Sequence, residues 1–305
     1  MNHTRSVLFL ALLLAVLMAG CAVATVVPTP APSAPSTAGQ VSAPTAIPNT
    51  PAVILTSTVA PTALPTLVPT ATPLITPPGA GQAAIVPILM YHHLADLPAN
   101  SSQLQLDWTV SPKNFESQMD WLAERGYHAV TIGQVAAHLK RNQPLPVKPI
   151  VISFDDGWAD DYTVAFPILK KHNFSGTFYV YTNVLDHGQF LTWAQVQEMS
   201  AAGMDFESHT LSHPHLRKLT PEAATKEIAD SKAILEERLG KPVTSFAYPF
   251  GEYNTAVIDL VKRAGFESAV TIAAGYKQRA DEVYTLHRIR ISYPDTLQDL
   301  AKRLP

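Results

Sequence analysis

The chain has 305 residues, 15% of them charged and 47% hydrophobic, and a formal net charge of −3. Arg5 is the only Asp, Glu, Lys or Arg before Asp96, so an uncharged region is joined to one of ordinary polarity. The basic residues form no run, which excludes an electrostatic footprint for nucleic acid, and the single cysteine, Cys21, excludes an intramolecular disulfide.

Arg5 precedes an uncharged apolar run over residues 7–19, too short to span a bilayer and of the right length for the core of an export signal. The run ends in Leu17-Met18-Ala19-Gly20-Cys21, which resembles the lipobox of bacterial lipoproteins, with Met18 where Leu is more usual. The resemblance implies a signal peptide over residues 1–21 and a lipid on Cys21, giving an exported protein anchored to the bacterial cell envelope. An ordinary secretory signal with a chance Cys is the alternative. Residues 22–84 are expected to be a linker: up to residue 80 they hold 13 of the 26 prolines and no charge, a composition that favours an extended, polyproline-like tether. The folded domain is expected over residues 85–305, as a monomer with its active face outside the cytoplasm.

Within that domain an apolar stretch over 85–91 predicts a buried strand, and Ser111-Pro112 opens an amphipathic helix that stops at Arg125-Gly126. Further strands are predicted over 128–131, 149–154, 176–181, 204–208, 244–248, 268–272 and 286–291. Two intervening helices are well marked. One follows Thr192 and ends before Gly203; the other opens at Thr220-Pro221-Glu222 and stops at Gly240. Repeated β then α units predict a mainly parallel sheet, and seven or eight of them in this length favour an α/β barrel. In such barrels chemistry sits at the carboxyl ends of the strands.

Four polar clusters fall there: His92-His93, Asp155-Asp156, Ser208-His209 and residues 248–251. In Ser153-Phe154-Asp155-Asp156-Gly157, two adjacent acids can divide their roles, one binding a cation and the other acting as general base; a capped Asp-Asp-Gly turn is the plain alternative. Ser208-His209-Thr210-Leu211-Ser212-His213 spaces two imidazoles four apart, which would put both on one face of a helical turn as a ligand pair. Two His and one carboxylate suit a hydrolytic metal site with open positions, and Asp156 can supply the carboxylate.

These residues resemble the polysaccharide deacetylase (NodB-homology) family of carbohydrate esterases, over about residues 85–305. The resemblance implies a distorted (β/α) barrel of about seven strands. It implies Asp155 as catalytic base, and Asp156, His209 and His213 as ligands of a divalent metal, zinc before cobalt or nickel. Phe246-Ala247-Tyr248-Pro249-Phe250-Gly251 resembles the third motif, in which the backbone N–H of Phe250 takes the oxyanion-holding place. Ala247 stands where the commonest pattern has an Arg that contacts the catalytic Asp, which leaves the orientation of Asp155 open. Ile88-Leu89-Met90-Tyr91-His92-His93 resembles the opening of the poly-N-acetylglucosamine deacetylase branch, whose barrel is circularly permuted so that the acid-bearing strand comes first. His92 is therefore the expected general acid, with His93 and with His287 of Leu286-His287-Arg288-Ile289 as alternatives.

Trp158, Trp193 and Tyr248 are candidates for stacking against sugar rings, with packing roles as the alternative. His128, His138, His172 and His187 read as surface or packing residues. The implied activity is metal-dependent removal of N-acetyl groups from a polysaccharide containing N-acetylglucosamine, poly-N-acetylglucosamine or peptidoglycan. An O-acetyl esterase with the same site, or a silent glycan-binding barrel, are the competing expectations.

Overall fold

The computed structural model describes residues 72–79 and 81–305. The expected signal segment, Cys21 and most of the proline-rich stretch lie outside the described residues. Among the described residues no helix is long and apolar enough to cross a membrane.

Seven parallel strands close into a barrel: β1 (Ile88–Tyr91), β2 (Pro149–Asp156), β3 (Thr177–Val180), β4 (Asp205–Ser208), β5 (Ser245–Ala247), β6 (Ser268–Ala274) and β7 (Leu286–Arg290). Neighbours follow chain order. The ring closes on β1, where Leu89 is in register with Ile152 of β2 on one side and Ile289 of β7 on the other. A short strand, His128–Ala129, pairs with β2 outside the ring. The expected barrel of about seven strands is therefore the observed one. Its strands are near-continuous apolar runs because both faces are covered, and every residue of β2 but Asp156 is buried.

The alternation of the pleat sorts the strand residues into two layers. Val151, Tyr179, Ala247, Val270 and Leu286 gather in one cluster, the barrel interior, while Leu89, Ile152, Phe178 and Phe206 belong to the layer that packs against the helices. Val151, Ser153 and Asp155 thus share the inward face of β2, and Leu286 and Arg288 that of β7.

Eight α-helices are described, among them α1 (Gln103–Trp108), α2 (Pro112–Glu124), α3 (Ile132–Arg141), α4 (Phe166–Lys171), α5 (Trp193–Ala201) and α6 (Pro221–Leu239). The hydroxyls of Ser111, Thr192 and Thr220 accept the first free amides of α2, α5 and α6, and Gly240 stops α6 in the left-handed conformation.

The amino-terminal part of the domain differs from expectation. The stretch over 85–91 is not one strand: Pro87 interrupts it, so that Ala84–Ile85 pairs antiparallel with Lys277–Gln278 and only Ile88–Tyr91 enters the barrel. Ordered pairing also begins before residue 85, since Leu74–Ile75, inside the expected linker, runs antiparallel to Leu145–Pro146. That pairing lies just ahead of β2, at the end of the barrel where the strands begin.

Candidate active site

A cavity of about 440 Å³ opens where the strands end, and Asp155, Asp156, His92, His209 and His213 line it. The chain turns immediately after β2: Asp156 and Gly157 both have φ of 80°. Only glycine suits the second position, because a Cβ there would lie 2.9 Å from Val180 Cγ1. The turn allows two consecutive carboxylates to serve one cavity instead of opposite faces of a strand.

Asp156 Oδ1 lies 3.7 Å from His209 Nε2 and 3.6 Å from His213 Nε2. One ligand atom from each of the three residues falls within 4.8 Å of the others. The Nδ1–H of His209 donates to the Ala247 carbonyl at 2.8 Å, a tautomer assigned from that contact, so Nε2 offers its lone pair to the cavity. Burial, helped by His209, pushes His213 down to about 3, which keeps its imidazole in the neutral, ligating form. Two imidazoles and a carboxylate are the donor set of a hydrolytic metal site, and the residues fit such an ion. The imidazoles are not on a helical turn. Thr210 (φ 76°) and His213 (φ 57°) are left-handed, and the His213 amide donates to Thr210 Oγ1 at 2.9 Å, folding a tight loop in place of the expected helix.

Asp155 is held from across the barrel. Arg288 donates from Nη1 to Oδ1 and from Nη2 to Oδ2, both at 2.7 Å, and its Nε donates to the Thr271 carbonyl at 2.8 Å. Asp155 is 2% exposed and Arg288 1%. Burial alone would raise the Asp155 carboxyl, but the Arg288 charge and hydrogen bonds outweigh it and hold the group well below the usual carboxylate range. The orientation left open by Ala247 is thus supplied by the last strand. Sequence reasoning passed over Arg288, although the pleat places it on the face opposite its neighbour His287.

His92 Nε2 is 3.9 Å from Asp155 Oδ2 and its ring lies 4.3 Å from that of Trp108. Burial pushes this imidazole down to about 3, the neutral form. His93 also faces the cavity, but its Nδ1 is engaged by Asp160 Oδ2 at 2.9 Å. His287 does not line the cavity. Neither do His128, His138, His172 and His187.

Phe250 sits in the left-handed region (φ 58°, ψ 8°) at the mouth, 45% exposed. Its ring stacks on His215 at 4.1 Å and meets His213 edge-on at 4.5 Å. Gly251, at φ 67°, is tucked against Ile272, with no room for a Cβ. The left-handed turn thus places Phe250 at the rim beside the ligand cluster.

The three stacking candidates find other surroundings. Tyr248 is buried, its hydroxyl donating to the Tyr284 carbonyl at 3.1 Å, so it presents no free face to a sugar. Trp193 opens α5 outside the cavity, with the Arg238 guanidinium 5.2 Å from its ring centre. Trp158 reaches the cavity, but His93 lies 3.9 Å from its ring centre and Phe190 4.3 Å. Two rings that close and that nearly parallel cannot share one side of an indole, so both faces are covered. Tyr248 and Trp158 still belong to the cavity lining, and the apolar wall is extended by Trp108 and Leu104 of α1 and by Ile272, residues whose segments carry no motif.

Comparison with known proteins accounts for this arrangement. A family model described as polysaccharide deacetylase matches residues 142–269. YxkH of Bacillus subtilis, which bears a polysaccharide deacetylase name, is 34% identical over 209 residues, 68% of this chain and 72% of its own. A poly-beta-1,6-N-acetyl-D-glucosamine N-deacetylase of Staphylococcus epidermidis is 28% identical over 210 residues, 64% of this chain and 72% of that one. The structure of the Streptococcus pyogenes deacetylase PplD in complex with acetate superposes with a TM-score of 0.68 at 31% identity, covering 73% of this chain and 99% of that one. A polysaccharide deacetylase from Bacillus cereus gives 0.65 at 31%, over 73% and 70%. Barrel, strand-end acids and sequence kinship agree, and the chain belongs to the polysaccharide deacetylase family of hydrolases.

Proposed function

We propose that this protein removes N-acetyl groups from a polysaccharide containing N-acetylglucosamine, poly-N-acetylglucosamine or peptidoglycan, in a metal-dependent reaction that releases acetate. The observation that carries the reading is the meeting, at one mouth, of the Asp156–His209–His213 cluster with an Arg-held carboxylate and a buried imidazole. A divalent cation held by those three residues, zinc by the donor set, supplies Lewis acidity toward the acetyl carbonyl and lowers the pKa of a water. Asp155, kept ionised by Arg288, takes the proton of the attacking water. The Phe250 N–H donates to the developing oxyanion. His92, whose ring faces the same cavity beside Asp155, is the group placed to protonate the departing nitrogen.

The lipobox-like segment supports export and anchoring of the chain through a lipid on Cys21, with the barrel acting on polymer outside the cytoplasm. The test of function is acetate release from β-1,6- and β-1,4-linked N-acetylglucosamine oligomers. The chelator-stripped protein is expected to be inactive and zinc or cobalt to restore it. Linkage preference then names the polymer. Release from O-acetylated glycan alone would replace the reading by an esterase, and metal binding without any release would leave a glycan-binding barrel.

A further inference from the structure

Resting on the reading of Asp156, His209 and His213 as a cation site, we infer that Trp158 is a positioning residue that makes Asp156 ligate through one oxygen only. The two oxygens of Asp156 face different partners. Oδ1 looks toward the Nε2 atoms of His209 and His213, at 3.7 and 3.6 Å, while Oδ2 accepts the Trp158 indole N–H at 3.3 Å. A carboxylate is otherwise free to rotate about its last bond and to close on a cation with both oxygens. That would fill a position which a hydrolytic site keeps open for water and substrate. The indole donor turns Oδ2 away from the cluster and so keeps that position free.

The indole can do this because it is itself fixed. His93 and Phe190 cover its two faces, and Trp158 and Phe190 are joined by an antiparallel backbone bridge. His93 is held in turn: its Nδ1 meets Asp160 Oδ2 at 2.9 Å, and Asp160 Oδ1 accepts the Leu94 amide at 3.1 Å. A continuous line of contacts thus runs from the backbone after β1, through Asp160, His93 and Trp158, to the ligand at the end of β2. His93 is engaged in this support, and Trp158 offers the cavity its edge.

The test uses the full chain stripped of metal. Trp158→Phe keeps a flat ring between His93 and Phe190 and removes only the donor. Titration with zinc is expected to show a Kd weakened about 10–100-fold, the usual size for loss of a ligand's hydrogen-bond partner. The visible spectrum of the cobalt-loaded variant is expected to lose intensity as the second Asp156 oxygen raises the coordination number. An unchanged Kd together with an unchanged cobalt spectrum would overturn the inference. If Trp158→Phe does not fold, His93→Gln carries the same test: it uncovers one face of the indole and is expected to move both readouts in the same direction, and no movement there overturns the inference equally. Failure of the wild-type chain to bind zinc or cobalt would instead overturn the cation site on which the inference rests.

Discussion

Arg288→Met is expected to cost both activity and about 3–5 kcal/mol of stability, because it breaks a buried ion pair from one side only. The guanidinium satisfies both oxygens of Asp155, a side chain almost wholly enclosed by protein, and the His92 imidazole 3.9 Å away is neutral and brings no compensating charge. Methionine fills the space and leaves the carboxylate uncompensated, so burial then governs the group and raises it. The sign with pH follows. In the wild type the Asp155 carboxyl is depressed in the folded state, so its contribution is complete above the unfolded value of about 3.9 and is lost as pH falls below that. In the variant the folded value is raised and the penalty falls on the high-pH side. Denaturant melts of the metal-stripped proteins should show the deficit widest near neutrality and narrowing toward pH 4. Arg288→Lys is not expected to restore turnover, since an ammonium cannot reproduce the two-pronged contact. A methionine variant with wild-type stability and turnover would remove Arg288 from the account of the site.

Asp155→Asn is expected to lower kcat by about 10²–10⁴-fold while bound zinc is retained, because the base is lost and the three proposed ligands are untouched. The amide oxygen can still accept from Arg288, whose Nε also keeps the Thr271 carbonyl, so the cationic side chain is not stranded. His209→Ala should lose zinc and turnover together. Metal stoichiometry measured alongside acetate release separates the two behaviours. An asparagine variant retaining more than about a tenth of wild-type turnover would take the role of base away from Asp155.

The parts of this site that lie close together in sequence were legible there. The adjacent acids and the spaced imidazoles announce themselves within a few residues, and the repeating strand and helix signals put both at strand ends. What could not be read depended on register between distant strands. Arg288 faces Asp155 only because β7 and β2 share the barrel interior. Trp158 is denied a sugar-binding face by His93 and Phe190, which come from other segments of the chain. The loop of His209 and His213 defeated the helical expectation for another reason: left-handed Thr210 and His213 are not glycines, so no residue type flagged the turn. Pro87 was a local signal of a broken strand that the apolar run around it obscured.

The barrel is closed by its final strand, which lies against the first through the pairing of Ile289 with Leu89. Pairing between segments this far apart in sequence is intrinsically slow, because the loop-closure entropy must be met before the contact forms. As the chain leaves the ribosome amino end first, Asp155, Asp156, His209 and His213 all emerge before Arg288. A nascent or prematurely ended chain that stops short of residue 286 therefore holds the three candidate ligands but has neither a sealed barrel nor the guanidinium that aligns its carboxylate. The topology thus makes the alignment of Asp155 the last step in assembling the site: the residue that aims the carboxylate is synthesised after every residue that would surround it.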